Sequence, residues 1–193
     1  MQEIDNDFQE EFNLKEVYLK GKKINLPKDD LTRPLKDMVK ESIFNVLEHS
    51  KEINFRVKNS LVLDLFSGSG SFGLECISRG AKKVKFIENY HNALKILNKN
   101  ILDLKVLDKS EIIDQDCFEF FKKQEKISSK FEIIFIDPPY KEEKLNLIIE
   151  EIKDKKILND NGVIIIHRHK LDKLEISEKL RVFDVRNSFK IIK

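Results

Sequence analysis

An apolar run, Leu61 to Phe66, is broken only by Asp64 and leads directly into a glycine-spaced turn, Ser67-Gly68-Ser69-Gly70. Parallel strands covered on both faces are almost continuously hydrophobic, so the run predicts a buried strand. Gly68 and Gly70 allow a tight turn and let a ligand approach bare backbone. Ser71 is placed to cap a helix reaching about Arg79, with Gly80 closing it in the left-handed conformation. Strand, turn and helix form the first half of a nucleotide-binding βαβ unit, with the ligand over the turn beside the helix N-terminus.

Two ligands compete for such a turn. Gly68, Gly70 and Gly73 spell G-x-G-x-x-G, and Glu88 follows Gly68 by 20 residues, the dinucleotide pattern with an acid on a ribose hydroxyl. That pattern does not require an acid inside the strand. Asp64 stands four residues before the first glycine, near the strand's carboxyl end. A carboxylate there can meet a cationic ligand group and would repel a pyrophosphate. S-adenosylmethionine carries an ammonium and a sulfonium, and Asp64-x-Phe66-x-Gly68-x-Gly70 resembles motif I of the class I methyltransferases.

The remaining chain alternates strands and helices. Strands are expected at Lys83–Glu88, Ser110–Asp116, Phe131–Asp137 and Gly162–His167, and helices at His91–Leu104, Cys117–Lys123 and Lys144–Ile152. A closing β-hairpin is expected over 180–193. This order predicts an α/β, Rossmann-like, mostly parallel seven-stranded sheet with helices on both faces. Ahead of it, 1–13 read as a flexible extension and 14–193 as a single domain. Residues 14–50 form its N-terminal part: a hairpin over 17–26, then a helix from Leu35 to His49, with Pro34 at its first position and Thr32 or Arg33 near the cap. Leu35, Met38, Val39, Ile43, Val46 and Leu47 are expected on its inner face.

Charge is close to balanced, 36 Lys and Arg against 34 Asp and Glu, so global charge does not announce a nucleic-acid partner. Its distribution is uneven: 1–13 hold five acids and no base, whereas 15–40 hold eight bases against four acids. A local basic patch is what phosphate contact needs. Cys76 and Cys117 fall in different elements and read as buried thiols of a reducing, cytoplasmic protein. No apolar run is long enough to span a membrane. No metal site or covalent nucleophile is expected. His91 is expected to face solvent, and His167 with His169 reads as a strand end.

Asp137-Pro138-Pro139-Tyr140 ends the fourth strand, beside the first in this topology. The prolines fix φ and donate no N–H, holding nearby carbonyls outward. A carboxylate, such carbonyls and an aromatic ring suit one task, gripping the exocyclic amine of a planar base. Asp137 and the Pro138 carbonyl accept the two N–H bonds, Tyr140 stacks, and transfer needs in-line positioning at roughly 3–3.5 Å.

Here the chain resembles a family. Asp-Pro-Pro-Tyr resembles motif IV of amino-directed nucleic-acid methyltransferases. Gly21-Lys22-Lys23-Ile24, Pro27, Thr32-Arg33-Pro34, Asp37, Val39-Lys40-Glu41, Phe44-Asn45 and Leu47 are similar to the N-terminal signature of the RsmD-type 16S ribosomal RNA guanine-N2 methyltransferases. Leu35 and Lys40 depart from that pattern, which usually has Thr and Arg there, and its C-terminal Tyr-Gly is not evident in 185–188. The resemblance implies S-adenosylmethionine-dependent methylation of a guanine in small-subunit rRNA by a cytoplasmic monomer, acting on rRNA or an assembling subunit. It implies that Asp64, Phe66, Gly68 and Gly70 hold the methionine end, Glu88 the ribose, and Asp116, Cys117 and Phe118 the adenine, with Ser67 and Asn89 also at the cofactor. Lys20, Lys22, Lys23, Arg33, Lys36 and Lys40 would face RNA. Three alternatives remain open: an amino methyltransferase for DNA adenine or another rRNA position, a nicotinamide-dependent oxidoreductase, and a non-catalytic RNA-binding module.

Overall fold

The computed structural model describes residues 23–26, 35–51, 53, 55–123, 129–139, 142, 144–168, 182–185 and 189–192. Its centre is a seven-stranded sheet: β1 (Leu61–Leu65), β2 (Lys83–Glu88), β3 (Ser110–Asp114), β4 (Phe131–Ile136), β5 (Leu158–His167), β6 (Val182–Val185) and β7 (Phe189–Ile192). The strands lie in the order β3-β2-β1-β4-β5-β7-β6. Strands β1 to β5 are mutually parallel, and β7 runs antiparallel between β5 and β6. The order reverses between β1 and β4. In open α/β sheets a ligand crevice forms at the carboxyl ends of the strands flanking such a reversal.

Side-chain alternation explains why both faces are covered. Val62, Val84, Phe86, Ile133, Phe135, Val163 and Ile165 point to one face. They are packed by α1 (Asp37–His49), α2 (Ser71–Ser78) and α3 (His91–Leu104), through Phe44, Phe72 and Leu97 among others. Leu63, Leu65, Ile87, Ile134, Ile136, Ile164 and Ile166 point to the other face, under α4 (Cys117–Lys123) and α5 (Leu145–Asp154). A period of two with both sets apolar is the signature of a doubly covered sheet. A ring stack crosses the first core: Phe44 lies 5.2 Å from Phe72, Phe72 lies 3.9 Å from Phe135, and the Arg79 guanidinium caps Phe44 at 4.3 Å. Arg79 also bonds Glu48 of α1 and Glu75 of α2, joining the N-terminal helix to α2.

Several expected boundaries move. Helix α1 begins at Asp37 with Lys36 as its N-cap, and residues 32–34 lie outside the described residues. Met38 is exposed because it sits about 140° around the helix from Ile43. The expected hairpin over 17–26 lies outside the described residues except for 23–26, which are irregular. Ser71 is the first helical residue of α2 and not its cap; Gly70, at φ 79°, occupies the cap position. Strands β1, β3 and β4 stop short of Phe66, Gln115 and Asp137. Strand β5 starts four residues early, because Leu158 pairs with Phe131 beyond a bulge.

Candidate functional site

At its carboxyl end β1 turns sharply, with Phe66 at φ 58°. The following loop is fixed from outside before any ligand arrives. Both the Ser67 N–H and its hydroxyl donate to the Ile87 carbonyl, at 3.1 and 3.0 Å, tying the loop to β2. The Gly70 N–H donates to the Ser67 carbonyl at 2.8 Å and closes a turn. Asn100 of α3, 1% exposed, donates from Nδ2 to the Ser69 carbonyl at 3.0 Å. The same amide bonds the Asn25 carbonyl, and its Oδ1 accepts the Asn25 backbone and side-chain N–H groups at 2.8 and 2.9 Å. One buried asparagine therefore fastens the N-terminal segment to the glycine loop. Its place among Leu97, Ile101 and Leu104 on an otherwise apolar helix face was a signal in the sequence that went unused.

Helix α2 approaches β1 and β2 closely because Gly73 has no side chain. A Cβ there would collide with Phe86 and come within 2.8 Å of Val84 and 2.9 Å of the Asp64 carboxyl. The Gly73 N–H instead donates to Asp64 Oδ2 at 2.9 Å. Asp64 is 1% exposed, and its other oxygen, Oδ1, has no hydrogen-bond partner among the described residues. Burial pushes its carboxyl pKa well above the usual range; the Gly73 N–H opposes this, and the charges of Asp137 and Glu88 add to it. A lone, buried carboxyl oxygen whose charged form is disfavoured by burial gains that charge most readily with a cationic group beside it.

Glu88 ends β2 over the same loop. Its Oε2 accepts the Gly68 N–H at 2.6 Å, and its Oε1 accepts those of Asn89 and Tyr90 at 3.0 and 2.8 Å. Oε1 thus has both of its acceptor sites in use, and Oε2 keeps one for a ribose hydroxyl. Asp116 caps α4, with Oδ1 accepting the Phe118 and Glu119 N–H groups at 2.9 and 3.2 Å. The half-buried rings of Phe66 and Phe118 meet edge to face at 6.4 Å, giving an aromatic corner on this edge. Cys117 turns its thiol into the core, where burial raises its pKa; any ligand contact it makes is through its backbone. Cys76 is buried as well, with its pKa raised chiefly by burial. Above Gly68 a Cβ would meet nothing within 4 Å, so the loop is open on that side. The orphaned Asp64 oxygen, the open loop, the Glu88 acceptors and the aromatic corner together fit S-adenosylmethionine.

Asp137 follows β4 on the face that Asp64 occupies, and its N–H reaches the Leu65 carbonyl at 3.4 Å. Its Oδ1 lies 2.8 Å from His167 Nδ1 at the end of β5. The next residue, Arg168, donates from Nη1 to the Pro139 carbonyl at 3.2 Å and from Nη2 to the Glu142 carbonyl at 3.0 Å. Pro138 is buried and Pro139 exposed; Tyr140 lies outside the described residues, as does His169. In sequence His167 reads as a strand end. The pairing of Ile136 with Ile166 puts positions 137 and 167 on the next rung, so strand order alone could have paired them.

Of the cationic set, Lys20, Lys22 and Arg33 lie outside the described residues, while Lys23 and Lys36 are exposed. Lys40 is engaged: its side chain is 16% exposed, and its ammonium lies 3.3 Å from Ser71 Oγ and 3.2 Å from Asp37 Oδ1. Its ammonium thus reaches the helix that follows the glycine loop. Among the described residues no group of three His, Cys, Asp or Glu side chains could hold a metal ion.

A family model described as "Conserved hypothetical protein 95" matches residues 18–189. The chain is 36% identical over 152 residues to "Ribosomal RNA small subunit methyltransferase D" of Buchnera aphidicola subsp. Acyrthosiphon pisum, covering 79% of this chain and 75% of that one. It is 32% identical over 152 residues to the protein of the same name from Haemophilus influenzae, covering 78% and 75%. A solved Haemophilus influenzae structure superposes with a TM-score of 0.69 at 30% identity, covering 89% of this chain and 92% of that one.

Proposed function

This chain belongs to the RsmD-type family of S-adenosylmethionine-dependent methyltransferases, and from that premise we propose that it methylates the exocyclic N2 amine of a guanine in small-subunit ribosomal RNA. The observation that carries the proposal is the placing of Asp64 and Asp137 on one face at the carboxyl edge, on either side of the point where strand order reverses. One carboxyl suits a cationic ligand group, and the other, followed by two prolines, suits an amine.

Bound S-adenosylmethionine supplies an electrophilic methyl group. Asp64 Oδ1 would answer the cofactor's cationic end, Glu88 its ribose hydroxyls, and Asp116 with Phe66 and Phe118 the adenine side. The Cys117 contribution would come from its backbone. Asp137 would accept an N–H of the guanine amine and take up the proton it loses on methylation. The target base must leave its stack to reach this edge, and Tyr140 would stack on it. Lys20, Lys22, Lys23, Arg33 and Lys36 would meet RNA phosphates, with Lys40 bracing α1 on α2.

The test is transfer of labelled methyl to 16S rRNA, free and in small-subunit particles, followed by digestion to nucleosides. The label is expected in N2-methylguanosine. Label in a methylated adenosine, or none in RNA, would defeat this reading.

A further inference from the structure

We propose that His167 is a positioning residue for Asp137: its Nδ1–H holds one carboxylate oxygen, so that the other is presented to the substrate amine. The inference rests on the role given to Asp137 above. As a carboxylate, Asp137 can only accept, so the hydrogen in the 2.8 Å contact belongs to Nδ1. Both side chains are partly open, 26% exposed for His167 and 22% for Asp137, at the mouth of the carboxyl edge. Strand register fixes their approach, because the Ile136 and Ile166 pair immediately precedes them. Arg168 completes the device by gripping the Pro139 and Glu142 carbonyls, so the end of β5 holds both the carboxylate and the loop that follows it.

The need for such a clamp follows from geometry. A free Asp χ2 rotates broadly, and an acceptor misaimed by about 1 Å can cost roughly 100-fold in rate. A donor on Oδ1 removes that freedom and leaves Oδ2 for the amine. The neutral ring does this without cancelling the carboxylate's charge. The imidazolium form keeps the bond but draws the carboxylate's electrons toward itself, making it a poorer acceptor for the amine. The neutral ring is therefore the working form of the clamp, and a donor that cannot take up a proton tests this.

Charged groups on the elements of this face include Asp64 on β1, Glu88 on β2, Lys40 on α1 with its Asp37 partner, and Glu75 and Arg79 on α2 with Glu48. Arg168 and Glu142 flank the pair in the loop. Lys190 pairs with Ile166 on β7 and so belongs to the opposite face. Asp64 can titrate with and without His167, so the readout is the difference between two profiles.

The experiment measures single-turnover methyl transfer to small-subunit rRNA from pH 5.5 to 8.5 with the parent, His167→Ala and His167→Asn, each with cofactor affinity from calorimetry. Asparagine places a non-titrating N–H donor near the position of Nδ1. At pH 8 the alanine variant should lose at least about tenfold in rate with cofactor affinity unchanged. The asparagine variant should recover most of that rate and lose less of it at pH 5.5 than the parent does. An alanine variant within twofold of the parent, or an asparagine variant with the parent's profile, overturns the proposal. If the alanine variant does not bind cofactor, the asparagine profile decides alone. Imidazole nitrogen shifts give a reading that needs no turnover: the neutral ring should carry its hydrogen on Nδ1 in the parent and change on Asp137→Ala. An Nε2–H ring overturns the clamp, whereas a parent that shows Nδ1–H but leaves rRNA unmethylated defeats the functional reading instead.

Discussion

Asp64 concentrates the electrostatic tension of the site in one side chain. Its folded pKa is raised above the ordinary value of 3.8, chiefly by burial. For an acid shifted in this direction, the folded state is favoured most while the proton is kept, below the unfolded value. Stability is then lost as pH rises toward the folded value. A cation placed against Oδ1 reverses the preference and drives the proton off. Asp64→Asn should therefore leave the protein without cofactor at least as stable as the parent at pH 7, with a flatter stability profile above about pH 4. The same change should weaken S-adenosylmethionine binding by about ten- to a hundredfold, the scale of a lost charged hydrogen bond. Chemical denaturation across pH and calorimetry in buffers of different ionisation enthalpy check both, and the parent alone should release a proton on binding. A destabilised Asp64→Asn protein with unchanged cofactor affinity would contradict this account.

At the scale of elements, the glycine loop is held by its neighbours more than by its own residues. Ser67 is spent on β2, Gly68 leans on Glu88, and Asn100 of α3 holds Ser69 while grasping Asn25. Asn100→Ala would strand the buried Ser69 carbonyl and release residues 23–26. The expected cost is about 1–3 kcal/mol in denaturant unfolding, with a several-fold loss of cofactor affinity. A change under about 0.5 kcal/mol would show that the clasp holds nothing. Much of this layout is legible in sequence where one force dominates. Leu61–Phe66 and Lys83–Glu88 read as strands because burial on one or both faces leaves an apolar pattern, and Gly68 and Gly70 mark the tight turn; the close approach at Gly73 shows only in the fold. The opening of β5 was not legible, since Asn159, Asp160 and Asn161 extend a strand by pairing beyond a bulge and not by apolar alternation. Ser71 looked like a cap because its hydroxyl suits one; the left-handed Gly70 took the position, and the hydroxyl went to Lys40.

For the whole molecule, alternation of strands and helices was enough to predict the doubly covered sheet, and the closing hairpin predicted the antiparallel pairing of β6 with β7. The two carboxyl groups of the candidate site were visible as well, each beside its own backbone signal, glycines after Asp64 and prolines after Asp137. What sequence could not supply was the third dimension of that site. His167, Arg168 and Asn100 act across strands and helices, at separations of 30, 29 and 31 residues from their partners, and only Asn100, a polar residue on an apolar helix face, carries a local mark. No helix among the described residues is long and apolar enough to cross a membrane. The central claim is that the carboxyl edge of this sheet aligns a base amine through Asp137. Single-turnover methyl transfer by Asp137→Ala, in folded protein carrying S-adenosylmethionine, tests it most directly. The account predicts a rate lower by about two orders of magnitude or more, the scale of one preorganised polar contact, with cofactor affinity intact. A near-normal rate in that variant would contradict it.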